Sequence, residues 1–389
     1  MADNVTQPLY PDRLHFPRNE LAELILSGFE RRVQTATTIF APRRKGKTTF
    51  LQNDLIPMAK ERGFVVAMAD LWLDRKHPEH VIAKALAEGI YQSGFFHRTK
   101  AKLMRPGQAL KSVSMEVSAE ASGVKAGVKG ELADSAALPL AELFERFRIV
   151  GEGRALLIID EVQHLATSDD FEDFTATLRS LLQACQGEVF AVFTGSSQDG
   201  LARMFRRTKA PFYQYGSEVG FPELGRDFAE HFGALYHEVT GRQWETDKAF
   251  ELYIARGMMP QYLRNLYIQA TTQNLAVNEA DKIVWRSMLD EGQFTGLLAE
   301  MPPLDVLVLR GILTGESLYA EEYRTRLADE MPSGTRPTTS MVQAALKRLH
   351  SKDLVGNLEH GSWKIEDSAL ESYLRRTLID DETNERSHL

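Results

Sequence analysis

At 389 residues, 43% of them apolar, the chain is long enough for two or three domains with real cores. Its 46 basic and 54 acidic residues give a formal charge of −8, which excludes attraction to nucleic acid or anionic membrane by net charge alone. The lone Cys185 cannot form an internal disulfide or a multi-cysteine metal site. No stretch reaches the roughly 18 apolar residues of a membrane helix, and the start lacks a basic-then-apolar leader pattern, so a cytoplasmic chain with no membrane partner is expected.

Taken in chain order, the first part alternates short apolar runs with helical patterns, as an α/β domain with a parallel sheet does. Leu21 to Val33 reads as a helix, and Thr35 to Pro42, rich in β-branched residues, as a buried strand. A helix follows from Thr48 to Arg62, then a strand from Phe64 to Trp72 and a helix from His77 to Ser93. Residues 112–132 alternate in steps of two around Ser122-Gly123, which predicts a hairpin inserted at 111–132, either a flap or a partner surface. Two more strands, Ala155 to Asp160 and Val189 to Gly195, enclose a helix from Phe171 to Ala184. The first domain is thereby expected to span 1–226, with a helices-only domain at 227–300. In 301–380 three helices, two short strands about Gly361 and a final helix predict a winged helix-turn-helix, followed by a polar tail at 381–389. Capping boxes Ser340-x-x-Gln343 and Ser368-x-x-Glu371 are expected to open the third and last of these helices.

The segment Ala41, Pro42, Arg43, Arg44, Lys45, Gly46, Lys47, Thr48, Thr49 lies between a strand and a helix. It meets the phosphate-loop pattern G-x-x-x-x-G-K-[ST] everywhere except Ala41. Gly46 lets the backbone wrap closely around phosphate, and the amide groups at the helix start face the anion. Lys47 is expected on the β/γ-phosphates and the Thr48 hydroxyl on Mg²⁺. In ALLIIDEVQHL, Asp160 emerges at the C-terminal end of a buried strand, where ligands bind in such sheets, and completes the metal site. Glu161 is the expected base for the attacking water. ATP and Mg²⁺ are therefore the expected cofactors. After the next strand, Thr194 is either a γ-phosphate sensor or a small turn residue. Arg203, Arg206 and Arg207 offer either an arginine finger for a neighbouring copy or a solvated basic face.

In their order, FPRNELAEL (16–24), APRRKGKTTFL, ADLW, DEVQ, FTGSS and APFY resemble the AAA+/STAND group of P-loop ATPases, near the archaeal-type and origin-recognition-like members, over residues 14–270. The resemblance implies a P-loop parallel sheet followed by a helical lid and a winged helix. It implies that Arg18 and Glu20 lie on the adenine side, and that Gly257 to Pro260 with Arg264 form the lid. It also implies a homo-oligomeric ATP-driven switch acting on double-stranded DNA or a partner effector protein, in a mobile-element, transposition or phage-defence setting. A signalling ATPase whose winged helix binds only protein is the alternative. Arg336, Lys347, Arg348 and Lys352 are the basic residues expected on nucleic acid, or else the solvated face of a helix whose other face packs inward. Residues 301–389 carry 11 Lys/Arg against 15 Asp/Glu, so general affinity for phosphate is weak there.

Overall fold

The computed structural model describes residues 12–94, 138–206, 210–292, 294–332, 334–352, 354–359 and 362–380. The hairpin expected at 111–132, Arg207 and the tail lie outside them. Five parallel strands, β1 (Ala36–Phe40), β2 (Val65–Asp70), β3 (Ala155–Asp160), β4 (Val189–Gly195) and β5 (Ser217–Gly220), form one sheet in the order β2-β3-β4-β1-β5. β3 and β4 are buried throughout, as central strands covered on both faces must be. Their side chains alternate between two cores: Leu157, Ile159, Ala191 and Phe193 face one, and Leu156, Ile158, Phe190 and Val192 the other. Helices Pro78–Gln92, Leu140–Gly151 and Glu172–Ala184 cover the first face; Asn19–Glu30 and the helix over 47–61 cover the second.

The helix over 47–61 is not uniform, since Leu51–Leu55 takes π-helical hydrogen bonding. Asp54 falls in that turn, buried, and meets His15 at 2.6 Å. β5 was not expected, and the chain meets the sheet there only because Thr37 to Phe40 pair with Ser217 to Gly220.

Beyond the sheet come helices Arg226–Thr240, Thr246–Ala255, Pro260–Gln273, Val277–Gly292 and Phe294–Ala299. They are followed by Pro303–Thr314, Glu321–Glu330, Thr339–Ser351, the antiparallel pair β6 (Val355–Glu359) and β7 (Ser362–Ile365), and Ser368–Arg375. Their buried residues form one continuous cluster from Phe228 to Leu374, so the two regions expected as separate units share a core. The helix starts correct the sequence reading. Thr338, not Ser340, caps the third of these helices by accepting from Met341 N. Asp367, not Ser368, caps the last one by accepting from the amides of Ala369 and Leu370.

This C-terminal part packs against the loops that follow β1 and β4 and against the preceding helices. Arg44 meets Asp367 at 3.5 Å, Ser197 donates to Glu366 at 2.7 Å, and Ser372 donates to the Ala255 carbonyl at 3.1 Å. No helix among the described residues is long and apolar enough to cross a membrane.

Candidate functional site

β1, β3 and β4 end on the same edge, with Phe40 opposite Gly195 and Ile159 opposite Phe193. The loop after β1 therefore stands beside the acids that close β3. Gly46 has φ 89°, left-handed backbone that glycine adopts at little cost, and it turns the loop into the helix that starts at Lys47. The start of that helix leaves amide groups without intrahelical partners, a setting for an anion. Arg44 and Glu161 also take left-handed backbone, at φ 66° and 56°. Residues without a glycine's freedom hold such conformations only where their surroundings fix them.

Lys47 is buried, and its ammonium donates to the loop's own carbonyls, Ala41 O at 2.6 Å and Pro42 O at 3.1 Å. Burial pushes its pKa below the usual lysine range, opposed by the charges of Glu161 and Asp160. Thr48 Oγ1 donates to Asp160 Oδ2 at 2.9 Å. A hydroxyl and a carboxylate at that spacing are hard oxygen donors that fit Mg²⁺. Thr194, expected as either a γ-phosphate sensor or a small turn residue, is fully buried and donates to Asp160 Oδ1. Its task is to hold that carboxylate from the neighbouring strand.

A cavity of about 400 Å³ opens over these groups. It is lined by the loop residues Arg43, Arg44, Gly46, Lys47, Thr48 and Thr49 with Glu161, by the apolar Leu14, Phe16, Phe50, Leu224 and Phe228, and by His15 and Asp54. Of the residues expected in a lid, Pro260 and Arg264 line the cavity from the helical region, with Gln261 beside them, while Gly257, Met258 and Met259 do not. Arg264 itself pairs with Asp12 at 3.1 Å and is 41% exposed at its side chain. Arg18 also lines the cavity. It bonds the Lys45 carbonyl at 3.1 Å and the Pro222 carbonyl, and lies over the Phe221 ring at 4.1 Å. Lys45 points away from the cavity wall to Glu223 and donates to the Gly257 carbonyl at 2.7 Å, tying the loop to the turn before Pro260.

Sequence reasoning missed several partners. Asp70, opposite Asp160 in the register of β2 and β3, is a third acid on this edge. Burial raises its pKa, a hydrogen bond from the Trp72 amide opposes this, and the charges of Asp160 and Glu161 add to the rise. Gln163 and Ser196 both donate to Glu161 Oε2, the serine at 2.8 Å. A polar residue two places after the acid was visible in DEVQ, but nothing in the pattern said where it pointed.

The expected basic residues are placed apart from this cavity. Arg206 is half-exposed and makes two bonds to Glu218 on β5, at 2.7 and 2.6 Å. Arg336 pairs with Glu321. Arg348 corrects the sequence reading: its guanidinium grips the buried carboxylate of Asp305, with Nε to Oδ2 at 3.0 Å, and so braces two helices rather than standing free for phosphate. Lys347 and Lys352 are exposed.

No protein-family model matches this sequence, and no curated protein does. Solved structures do match in fold. The Walker-type ATPase paby2304 of Pyrococcus abyssi is 20% identical with a TM-score of 0.62, covering 93% of this chain and 96% of its own. The Orc2 protein of Aeropyrum pernix, solved in ADPNP–ADP complexes, is 15% identical with a TM-score of 0.54, covering 97% and 98%. Its ADP form is also 15% identical, with a TM-score of 0.55 and coverage of 96% and 97%. The likeness is one of fold: this chain shares the fold of the Walker-type ATPase of Pyrococcus abyssi and of Orc2 of Aeropyrum pernix.

Proposed function

We propose that this chain binds Mg-ATP in the cavity beneath Pro260 and Arg264 and hydrolyses it. The observation that carries the reading is the meeting of three independent sequence signals in one place: the phosphate loop and Glu161 line a single cavity, and Thr48 on its wall bonds Asp160 just behind it. The nucleotide-bound forms in which Orc2 of Aeropyrum pernix was solved support it through the shared fold.

In this reading the ammonium of Lys47 exchanges the carbonyls of Ala41 and Pro42 for the β- and γ-phosphate oxygens. That exchange relieves a buried charge of its weakly compensated setting. Thr48 and Asp160 hold Mg²⁺, which neutralises phosphate charge when bound. Glu161 accepts a proton from the water whose oxygen attacks the γ-phosphorus while the bond to the ADP oxygen breaks. Arg206 exchanges Glu218 for the γ-phosphate of a neighbouring copy in a homo-oligomer. The helices at 303–351 with β6 and β7 are a winged helix that meets double-stranded DNA through Lys347 and Lys352, and the chain acts as an ATP-driven switch on DNA or a nucleoprotein. Mobile-element, transposition or phage-defence roles suit such a switch.

A second reading, a protein-only winged helix, is favoured by two observations. Arg336 and Arg348 are already paired with acids, and residues 301–389 carry 11 basic against 15 acidic groups. Turnover by the purified chain, with and without duplex DNA, tests both. Turnover lost in Lys47→Ala and in Glu161→Gln is expected. Stimulation by DNA that falls steeply with salt supports the first reading, and turnover indifferent to DNA supports the second.

A further inference from the structure

Glu161 is held by a purpose-built contact that the phosphate-loop chemistry does not require. Gln163 Nε2 and Ser196 Oγ both donate to the same oxygen, Oε2, and Gln163 Nε2 also reaches Ser196 Oγ at 3.3 Å. Both bonds to the carboxylate go to Oε2, and the third joins the two donors. Gln163 and Ser196 are buried, at 8% and 2% exposure, so bulk water competes little for these bonds. Space for Gln163 is made by glycine. A Cβ on Gly195 would collide with Gln163 Oε1, and one on Gly200 would come to 2.5 Å from Gln163 Cβ. The glutamine thus comes from the 3₁₀ turn Val162–Ala166 after β3, fits between Gly195 at the end of β4 and Gly200 beyond it, and reaches back to the acid.

We propose that Gln163 and Ser196 are positioning residues for Glu161, fixing which carboxylate oxygen faces the attacking water; this rests on the reading of Glu161 as the base. The backbone of Glu161, at φ 56°, already departs from what a side-chain-bearing residue adopts freely, and the two donors fix the side chain that the backbone aims. The turn carrying Ser196 is itself anchored. Ser197 Oγ donates to Glu366, at the end of β7, at 2.7 Å. The C-terminal part therefore holds the turn that holds the base.

The test compares kcat, KM for ATP and the Kd of a fluorescent ATP analogue among the wild type, Gln163→Met, Ser196→Ala, Ser196→Thr and Glu161→Gln. Methionine keeps the volume between Gly195 and Gly200 without the amide donor, so the fold is retained and melting checks it. Gln163→Met and Ser196→Ala are expected to lower kcat about tenfold, as loss of orientation at a reacting group does, with Kd within about twofold. Ser196→Thr keeps the hydroxyl and is expected near wild type. In a Glu161→Gln background, Gln163→Met is expected to cause no further loss. Wild-type kcat in Gln163→Met, with Glu161→Gln inactive, would overturn this proposal alone. An equal loss in both backgrounds would also overturn it, because the glutamine would then act elsewhere. Wild-type turnover in Glu161→Gln would overturn the assignment of the base and this proposal with it.

Discussion

Cations at the two ends of this chain are set up in opposite ways. In the phosphate loop, Lys47 is buried against neutral carbonyls and faces a cavity, although its neighbours Arg44 and Lys45 already meet Asp367 and Glu223. In the C-terminal part, Arg348 has met a buried carboxylate and Arg336 an exposed one. A cation held by neutral oxygens in an open cavity gains when an anion arrives, whereas one already paired must lose its acid first. The contrast favours anion binding at the loop and assigns much of the C-terminal charge to holding helices together.

The largest effect should come from the acids that answer the loop. Asp160→Asn keeps the shape but removes the charge that a metal ion needs, and because Thr48 and Thr194 donate to different carboxylate oxygens, one of them would then face the amide NH₂ and have to accept instead. Turnover is expected to drop by about a hundredfold or more, with the fold intact by melting. Near-normal turnover in Asp160→Asn would break the contrast, since the cavity would then not be a metal-nucleotide site.

Next in size is the pair that sets the other end apart. Asp305 is 3% exposed, and Arg348 is its bidentate partner across 43 positions of sequence. Removing the guanidinium in Arg348→Ala leaves a buried carboxylate with lost partners. Because the Arg348 side chain is itself about half exposed, a cost of about 1–3 kcal/mol is expected rather than the larger values of sealed pairs. Chemical denaturation reads this directly. An unchanged midpoint would return Arg348 to the pool available for phosphate.

These two regions also differ in how much of them the sequence displayed. The phosphate loop and Asp160-Glu161 are legible because their chemistry needs adjacent residues after a strand, so the motif and the site are the same few positions. β3 and β4 were legible to the residue, since a strand buried on both faces is an unbroken apolar run. β5 was not: Ser217–Gly220 is mostly exposed and lacks any apolar period, and pairing with β1 alone makes it a strand. The Arg348–Asp305 pair was hidden because a helix face cannot announce a partner on another helix. For the same reason Arg348 read as a nucleic-acid contact. Thr338 and Asp367 were passed over as caps because Ser340 and Ser368 carried the fuller box pattern, while the chain turned into helix one or two residues sooner.

A smaller effect separates the remaining free charge from the paired kind. Lys347 and Lys352 are exposed near the C-terminal end of Thr339–Ser351. If they meet phosphate, Lys347→Ala and Lys352→Ala should each weaken duplex binding several-fold at all sequences and lower the salt slope by about one. Arg336→Ala should do less, since its guanidinium is shared with Glu321. Equal slopes in all variants would favour the protein-only reading of this region.

The smallest effect is on the empty protein and concerns Lys47 itself. Burial depresses its pKa relative to the unfolded chain. Below its folded pKa the lysine is charged in both states, and the folded state bears the full penalty of burying that charge. Stability rises with pH only through the interval between the depressed folded value and the ordinary unfolded one. Below that folded pKa the ammonium is therefore a cost that a bound polyphosphate would offset. Lys47→Met should leave the melting temperature of the nucleotide-free chain at or slightly above wild type, while the rise that ATP gives the wild type disappears. A fall of several degrees without nucleotide would mean that the bonds to Ala41 O and Pro42 O outweigh the burial, making Lys47 a brace for its own loop like Arg348 for its helices.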